Sequence, residues 1–264
     1  MTPQARGFHT HTDTVVDHYA PLVAKALGSM WTKQEVTNAI RKASSSVQKA
    51  DTPTDPIAAA AAKALGSGDT SALARLLPSL YGDAYLQGAH EAAHAAGGTI
   101  VASLKGVTAQ LPDDYWNQWT PGYGEAAAKT ADGGLARLLD DANVTIKGVE
   151  GSATDRLGND IAAGIARGDS VDVIAQSVME SVADPQRAWL IADTETARAM
   201  TAANLDTYAQ NGVEQVEWLA EDDACPECED NADASPIALG DDWPNGDVPV
   251  HPACRCAIAP YVAS

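Results

Sequence analysis

The placing of the cysteines constrains this 264-residue chain more than any other feature. All four lie near the C-terminus: Cys225 and Cys228 in C-P-E-C, then, after 22 residues, Cys254 and Cys256 in H-P-A-C-R-C, which opens with His251. A tetrahedral Zn²⁺ site takes four thiolate or imidazole ligands, and two turns of x-x spacing each present a pair at a suitable separation. Cys225/Cys228 makes one turn and His251/Cys254 the other. Cys256 is a fifth candidate for four places. If residues 254–258 form a strand, Cys254 and Cys256 point to one face and either can ligate. Pro226 and Pro252 stiffen the two turns. Two disulfides or four unrelated buried thiols are the competing readings. The clustering, and an N-terminus (MTPQARGFHTHTDT) without an apolar signal segment, disfavour the first. The paired spacing disfavours the second. Five candidate ligands leave little room for an open coordination position, so the expected zinc is structural. It would staple residues 219–253, which are polar, acidic, rich in Gly and Pro, and poor in apolar side chains to bury.

Charge points the same way. The chain carries 17 Lys/Arg against 36 Asp/Glu, a net of -19. Residues 1–132 are nearly balanced at -2, whereas residues 199–264 hold one basic residue, Arg255, against thirteen acidic ones, a net of -12. Such a terminus repels phosphate and suits metal ions or basic protein surfaces. Hydrophobic residues make up 45%, enough for a buried core, and no apolar run approaches the roughly 18 residues of a membrane span. The sequence thus reads as a soluble protein that stays in the compartment where it is made.

The expected fold is mainly α with a small α+β C-terminal module, in which short antiparallel strands are stapled by the Cys/His site. Three regions are expected: a helical N-terminal region over 1–110, a loop-rich connector over 111–150 with a short extended segment at 143–150, and the C-terminal domain over 151–264. Thr32-Lys33-Gln34-Glu35 has the form of a capping box, followed by Val36, Ile40, Ala43 and Val47 at helical spacing. A helix from near Asp69 to Gly97-Gly98 should be kinked or split by Pro78. Leu157, Ile161 and Ile165 predict a helix ending at Gly168. Asp169 or Ser170 then caps another with the stripe Val171, Ile174, Val178 and Val182. Asp184-Pro185 opens a third that stops at Asn211-Gly212. After it, Val216 and Trp218 alternate with Glu217 as a strand, and a second short strand is expected over 254–259.

One motif suggests chemistry of a different kind. His90-Glu91-Ala-Ala-His94 places two imidazoles at i, i+4 on a helix, with Glu91 as the general base of a zinc-dependent hydrolase. Its third ligand is missing. The metzincin extension needs His at position 100, where Ile100 stands, and a downstream carboxylate would have to be Glu125. The plainer reading is an amphipathic helix with polar histidines on its solvent face. Phosphate-loop, nucleophile-elbow and dinucleotide fingerprints are absent from the sequence.

The segments RAWLIADTETARAM (187–200), VEWLAEDDACPEC (216–228) and HPACRC (251–256) together resemble the phage Mu F-like head morphogenesis family, also called minor head or minor capsid proteins. The resemblance rests on Ile191, Ala192, Thr194, Glu195 and Ala199, then Tyr208, Gly212, Trp218 and Asp222 or Asp223. It continues through Cys225, Cys228, His251, Cys254, Arg255 and Cys256, and covers about residues 150–260. Two positions depart from the pattern: Asp193 stands where the family has a basic residue, and the acidic stretch Glu229–Asp233 replaces a usual glycine.

The resemblance implies a structural, non-enzymatic protein of the virion, at the head interior or portal vertex and assembled in the host cytoplasm. Its implied partners are the portal protein and the major capsid or scaffolding protein, with phage DNA a lesser candidate and no membrane. It implies a role in procapsid and head assembly, with a contribution to DNA packaging or delivery. The alternatives are the zinc hydrolase and a metal-stapled adaptor for a basic partner. Glu195, Arg255, Trp218 and Asp223 are the expected structural supports of the metal residues. Glu195 can pair with Arg187, with Arg198 at i, i+3, or with Arg255. The last is favoured because Arg255 is the only cation of the acidic terminus.

Overall fold

The computed structural model describes residues 3–46, 54–98, 105–108, 110–112, 115 and 119–261. Ten helices and three short strands follow one another in these residues: α1 (Pro3–Gly28), α2 (Lys33–Ser46), α3 (Thr54–Leu65), α4 (Ser71–Ala95), α5 (Lys105–Thr108), α6 (Gly124–Lys129), α7 (Gly133–Arg167), α8 (Val171–Val182), α9 (Pro185–Gln210), β1 (Gln215–Leu219), α10 (Pro226–Asp233), β2 (Ile237–Ala238) and β3 (Ala257–Pro260). The fold is therefore mainly helical with a small antiparallel sheet at its C-terminal end. No described helix is long and apolar enough to cross a membrane.

Local chemistry accounts for most helix ends. The capping box forms: the Thr32 hydroxyl accepts from the Glu35 amide at 3.2 Å, and the Thr32 amide donates to the Glu35 carboxylate at 2.7 Å. Val36, Ile40 and Ala43 are buried behind it, while Val47 lies outside the described residues. Ser170 caps α8 by accepting from the Val173 amide, and Asp184 accepts from the Gln186 amide at the start of α9. Gly168 and Gly212 close α7 and α9 at φ +76° and +74°, a conformation that costs a side-chain-bearing residue about 1–2 kcal/mol.

Two expectations fail. Pro78 lies inside an unbroken α4. Its missing amide costs one helical hydrogen bond, and burial of Leu73, Leu77, Leu80, Tyr81 and Tyr85 along that helix offsets the loss. The expected extended segment at 143–150 is helical, and the expected connector is helix from Gly133 onward, because α7 runs 35 residues without interruption. Val144 and Val149, read as β-formers, belong instead to a long helix whose propensity their neighbours supply.

The chain divides into two compact units whose segments interleave. One comprises Met1–Ala20, Leu77–Asp141 and Trp189–Ser264; the other comprises Pro21–Leu76 and Ala142–Ala188. In the second unit α2 packs on α3 and α8. Arg41 pairs with Asp172 at 3.5 Å and Lys33 bonds Gln176 at 3.0 Å on the rim of that packing. Arg187 is buried here, donating to the carbonyls of Val149 (3.0 Å) and Val182 (3.4 Å) and to the Ser152 hydroxyl (2.8 Å).

In the first unit α4 and α9 lie close. A Cβ on Gly88 would sit 2.8 Å from both the Cα and the carbonyl oxygen of Met200. Asn204, with its amide nitrogen turned toward them, donates to the carbonyls of Gly88 (2.9 Å) and Met200 (3.1 Å). The three-stranded sheet has the order β2-β1-β3, with both pairings antiparallel; Trp218 faces Ile258 and Val216 faces Ile237 and Pro260. The Tyr208 hydroxyl donates to the Ile258 carbonyl at 3.2 Å and ties α9 to β3. Because backbone atoms of Met200 fill the space at Gly88, we expect Gly88→Ala to destabilise the protein by about 1–3 kcal/mol, although alanine is the better helix former. Equilibrium urea unfolding against the wild type measures this.

Candidate metal centre

The two cysteine turns are built differently, and each follows from its sequence. Cys225 is the N-cap of α10 with extended backbone, Pro226 occupies the first helical turn, and Cys228 follows within that turn. The Glu229 amide closes the turn on the Cys225 carbonyl at 2.9 Å. His251-Pro252-Ala253-Cys254 is a reverse turn closed by the Cys254 amide on the His251 carbonyl at 3.1 Å. Proline at its second position and positive φ (59°) at Ala253 match the type II pattern. The Ala253 amide also reaches the Thr194 hydroxyl of α9 at 3.4 Å.

These turns bring all five predicted side chains together as two overlapping triads. The ligand atoms of Cys225, Cys228 and His251 lie within 4.8 Å of one another, as do those of Cys228, Cys254 and Cys256. Cys228 belongs to both. Its sulfur is 3.8 Å from His251 Nε2 and 3.7 Å from Cys254 Sγ. A tetrahedron with metal–sulfur bonds of about 2.3 Å has sulfur–sulfur edges of about 3.8 Å, whereas a disulfide requires about 2.0 Å. All four cysteines are free thiols. His251 Nδ1 lies 2.9 Å from the Pro252 carbonyl; donating there places the ring's lone pair on Nε2, the atom that faces Cys228. Distances, donor chemistry and the outer hydrogen bond all fit a divalent metal ion, so the cluster can hold one.

Electrostatics of the metal-free pocket show why an ion suits it. Burial pushes the Cys228 thiol upward. In the adjacent pair, Cys254 is held below the usual thiol range because the Cys256 thiol, and then the amides of Cys256 and Val250, donate to its sulfur. Cys256, as the donor and a buried group, is pushed upward. Several thiolates cannot share this site without a compensating cation, and a coordinated metal supplies that charge.

An apolar core surrounds the cluster. Residues 219–253 are not held by the cysteines alone. Trp218 meets Trp243 edge to face, with centroids 5.2 Å apart, a contact worth about 0.5–1.5 kcal/mol beyond burial. Tyr208, Val216, Val248 and Ile258 join Cys228, Cys254 and Cys256 in the same buried cluster. Asn231, fully buried, donates to the Gly246 carbonyl at 3.1 Å and accepts from the Asn245 amide at 2.9 Å, which pins the acidic loop to α10.

The structure separates the remaining predicted residues. Trp218 packs in the cluster, while Asp223 is exposed and belongs to neither triad. Glu195 does not pair with Arg255. It accepts from the Tyr81 hydroxyl of α4 at 2.7 Å and pairs with Arg198 at 3.3 Å. It lies on a buried face of α9 that a tyrosine reaches, whereas Arg255 is exposed beside Asp13 and Asp193 along a small cleft. Arg187 is engaged elsewhere, as described above.

The histidine motif of α4 does not assemble as a zinc hydrolase would need. Among the described residues, neither His90 nor His94 joins a group of three metal-ligating side chains. His94 is exposed, and Glu125 pairs with Lys129 at 2.7 Å. Burial pushes the Glu91 carboxyl up to about 8.

Sequence reasoning missed a set of buried carboxylates. Tyr19 donates to Asp83 at 2.6 Å and Tyr85 to Asp206 at 2.5 Å, alongside Tyr81 to Glu195. Asp83 also accepts from the amides of Gly122 and Gly124, and Asp206 from the Gly134 amide and from Arg137 at 3.3 Å. Nothing in the local pattern marks them, since each partner is distant in sequence.

Residues 155–259 match the model of the family described as Phage Mu protein F like protein. That segment, which contains all four cysteines and His251, is therefore similar to the Mu F-like family. Neither the curated proteins nor the solved structures yielded a match.

Two outcomes follow. Tyr81→Phe leaves the buried Glu195 short of a donor and should cost about 1–3 kcal/mol, read as a lower urea midpoint at unchanged slope. Ala253→Gly relieves a positive φ and should raise stability by about 0.5–1 kcal/mol, read as a higher melting temperature.

Proposed function

We propose that this chain is a structural minor head protein of a phage, acting in procapsid and head assembly at the portal vertex, and that zinc clamps its C-terminal module. The observation that carries the reading is the coincidence of the Mu F-like match over residues 155–259 with a five-ligand Cys/His cluster inside it. The family supports a phage head protein, and thus a place in the virion. The cluster supports a closed, structural zinc site, because its ligands sit among buried apolar side chains. Contacts with the portal, with the major capsid or scaffolding protein, and a part in packaging or delivering DNA complete the reading. The concentration of acidic residues at 199–264 makes basic protein surfaces better partners than nucleic acid.

Two measurements test it. Elemental mass spectrometry of the purified full chain should find about one zinc per molecule. Cys228→Ser should retain less than about a tenth of that, with a lower melting temperature. A metal-free wild type whose residues 215–260 stay protected from hydrogen exchange would overturn the staple. In the parent phage, quantitative proteomics of purified procapsids and filled heads should find the chain in few copies per particle, with the portal retaining it after capsid dissociation. Its absence from both particles would overturn the assembly role while leaving the zinc result standing.

A further inference from the structure

One sulfur of the cluster lies near all three others. Cys225 Sγ is within 4.8 Å of Cys228 Sγ, and so are the sulfurs of Cys254 and Cys256, in a triad that does not contain Cys225. We infer that Cys228 is the hub of an oxidation site: a small-molecule disulfide, such as oxidised glutathione, converts the cluster to a disulfide between Cys228 and the Cys254/Cys256 pair. That bond joins α10 covalently to the segment that follows His251, and it needs no ion. The inference concerns the thiols alone and goes beyond the zinc clamp proposed above.

Three observations carry it. The first is proximity between free thiols. Cys228 Sγ is 3.7 Å from Cys254 Sγ, and Cys256 completes the same triad. Closing either pair to the disulfide length of about 2.0 Å moves the sulfurs by less than about 3 Å. The second is that the two segments are already held together. Trp218, Trp243, Val248 and Ile258 share a buried cluster with these three sulfurs, and Asn231 of α10 bonds the loop at Asn245 and Gly246. The third is graded exposure: Cys225 is half-buried, whereas Cys228, Cys254 and Cys256 are buried. Cys225 therefore meets the oxidant first. Its sulfur attacks one sulfur of oxidised glutathione, and a mixed disulfide forms as one glutathione thiol leaves with the proton. Cys228 then attacks the Cys225 sulfur and displaces the second glutathione thiol. Cys254 or Cys256 attacks Cys228 in turn and returns Cys225 to its thiol. Two cysteines have lost two electrons and two protons, and two glutathione thiols have gained them. The final bond spans 26 residues of chain when Cys254 is the partner, against a single turn for Cys225 with Cys228. A longer closed loop removes more freedom from the unfolded chain, which favours the cross-link between segments. Such a bond persists once a particle has left the reducing cytoplasm, a consequence that rests on the assembly reading.

Non-reducing peptide mapping of the full chain tests the inference, in glutathione buffers of rising oxidised fraction with a chelator present to sequester any ion. Cleavage after Glu227 and after Arg255 places the four cysteines on separate peptides. The oxidised wild type should show Cys228 linked to Cys254 or Cys256 in at least about 10-fold excess over Cys225–Cys228. Cys254→Ser and Cys256→Ser should each keep the cross-link through the remaining thiol, whereas Cys228→Ser should lose it by about 10-fold or more. Cys225→Ser should give the same product at least about 10-fold more slowly. In urea the unfolded chain should instead pair neighbours along the sequence, Cys225 with Cys228 and Cys254 with Cys256. Three outcomes would overturn the inference: Cys225–Cys228 as the main product of the folded chain, a Cys228→Ser variant that cross-links through Cys225, or one pattern with and without urea. Should Cys228→Ser fail to fold, the wild-type map and its urea control decide. An unchanged rate in Cys225→Ser would overturn the relay through that residue.

Discussion

Five metal-affine side chains crowd together in the C-terminal module, and its short sheet and aromatic pair pack around them. Cys228 is 1% exposed, at the start of α10, with an imidazole and three further thiols around it. Without a cation, deprotonating several of these sulfurs in an apolar surround is costly. With one, the same crowding becomes a tetrahedron of donors, and ligand binding is converted into folding free energy. The tryptophan pair, the Asn231 hydrogen bonds and the short sheet then close around a point already defined, so apolar burial and coordination reinforce one another.

The long helix α9 connects this centre to the rest of its compact unit. Thr194 accepts from the metal-side turn at Ala253, Tyr208 reaches β3, and Glu195 and Asp206 accept tyrosine hydroxyls from α4. Glu195 and Asp206 each have at least two donors there, so neither is left without partners. The glycine at 88 lets the two helices come close enough for those hydroxyls to arrive. Helix packing and polar satisfaction are a single arrangement here, and the signature residues Thr194 and Glu195 act in it as anchors.

Much of this was legible in the chain. The capping box at Thr32 and Glu35, the Ser170 cap and the glycine stops at 168 and 212 formed as their local chemistry predicts, because each depends on atoms a few residues apart. The cysteine spacing likewise foretold a cluster, since x-x turns bring their ends together whatever lies outside them. The errors came where local rules met long-range packing. Pro78 was expected to kink or split its helix, yet α4 runs on through it unsplit among buried neighbours. Residues 143–150 looked extended, yet α7 carries them as helix. Arg255 looked like the partner of Glu195 because it is the only cation of the acidic terminus; in space Glu195 meets Arg198 and a tyrosine 114 residues away.

By itself the sequence determined where several helices start and stop, and that five metal-affine side chains share one short terminal segment, because caps, turns and ligand spacing are local properties. Only the tertiary structure decided that Tyr19, Tyr81 and Tyr85 would serve two buried carboxylates and a half-buried one, and that Cys228 would stand beside both His251 and Cys254. Those choices depend on which faces meet once α4 and α9 are pressed together and the terminal loop folds back. No spacing along the chain encodes a contact whose two halves lie 64 to 121 residues apart.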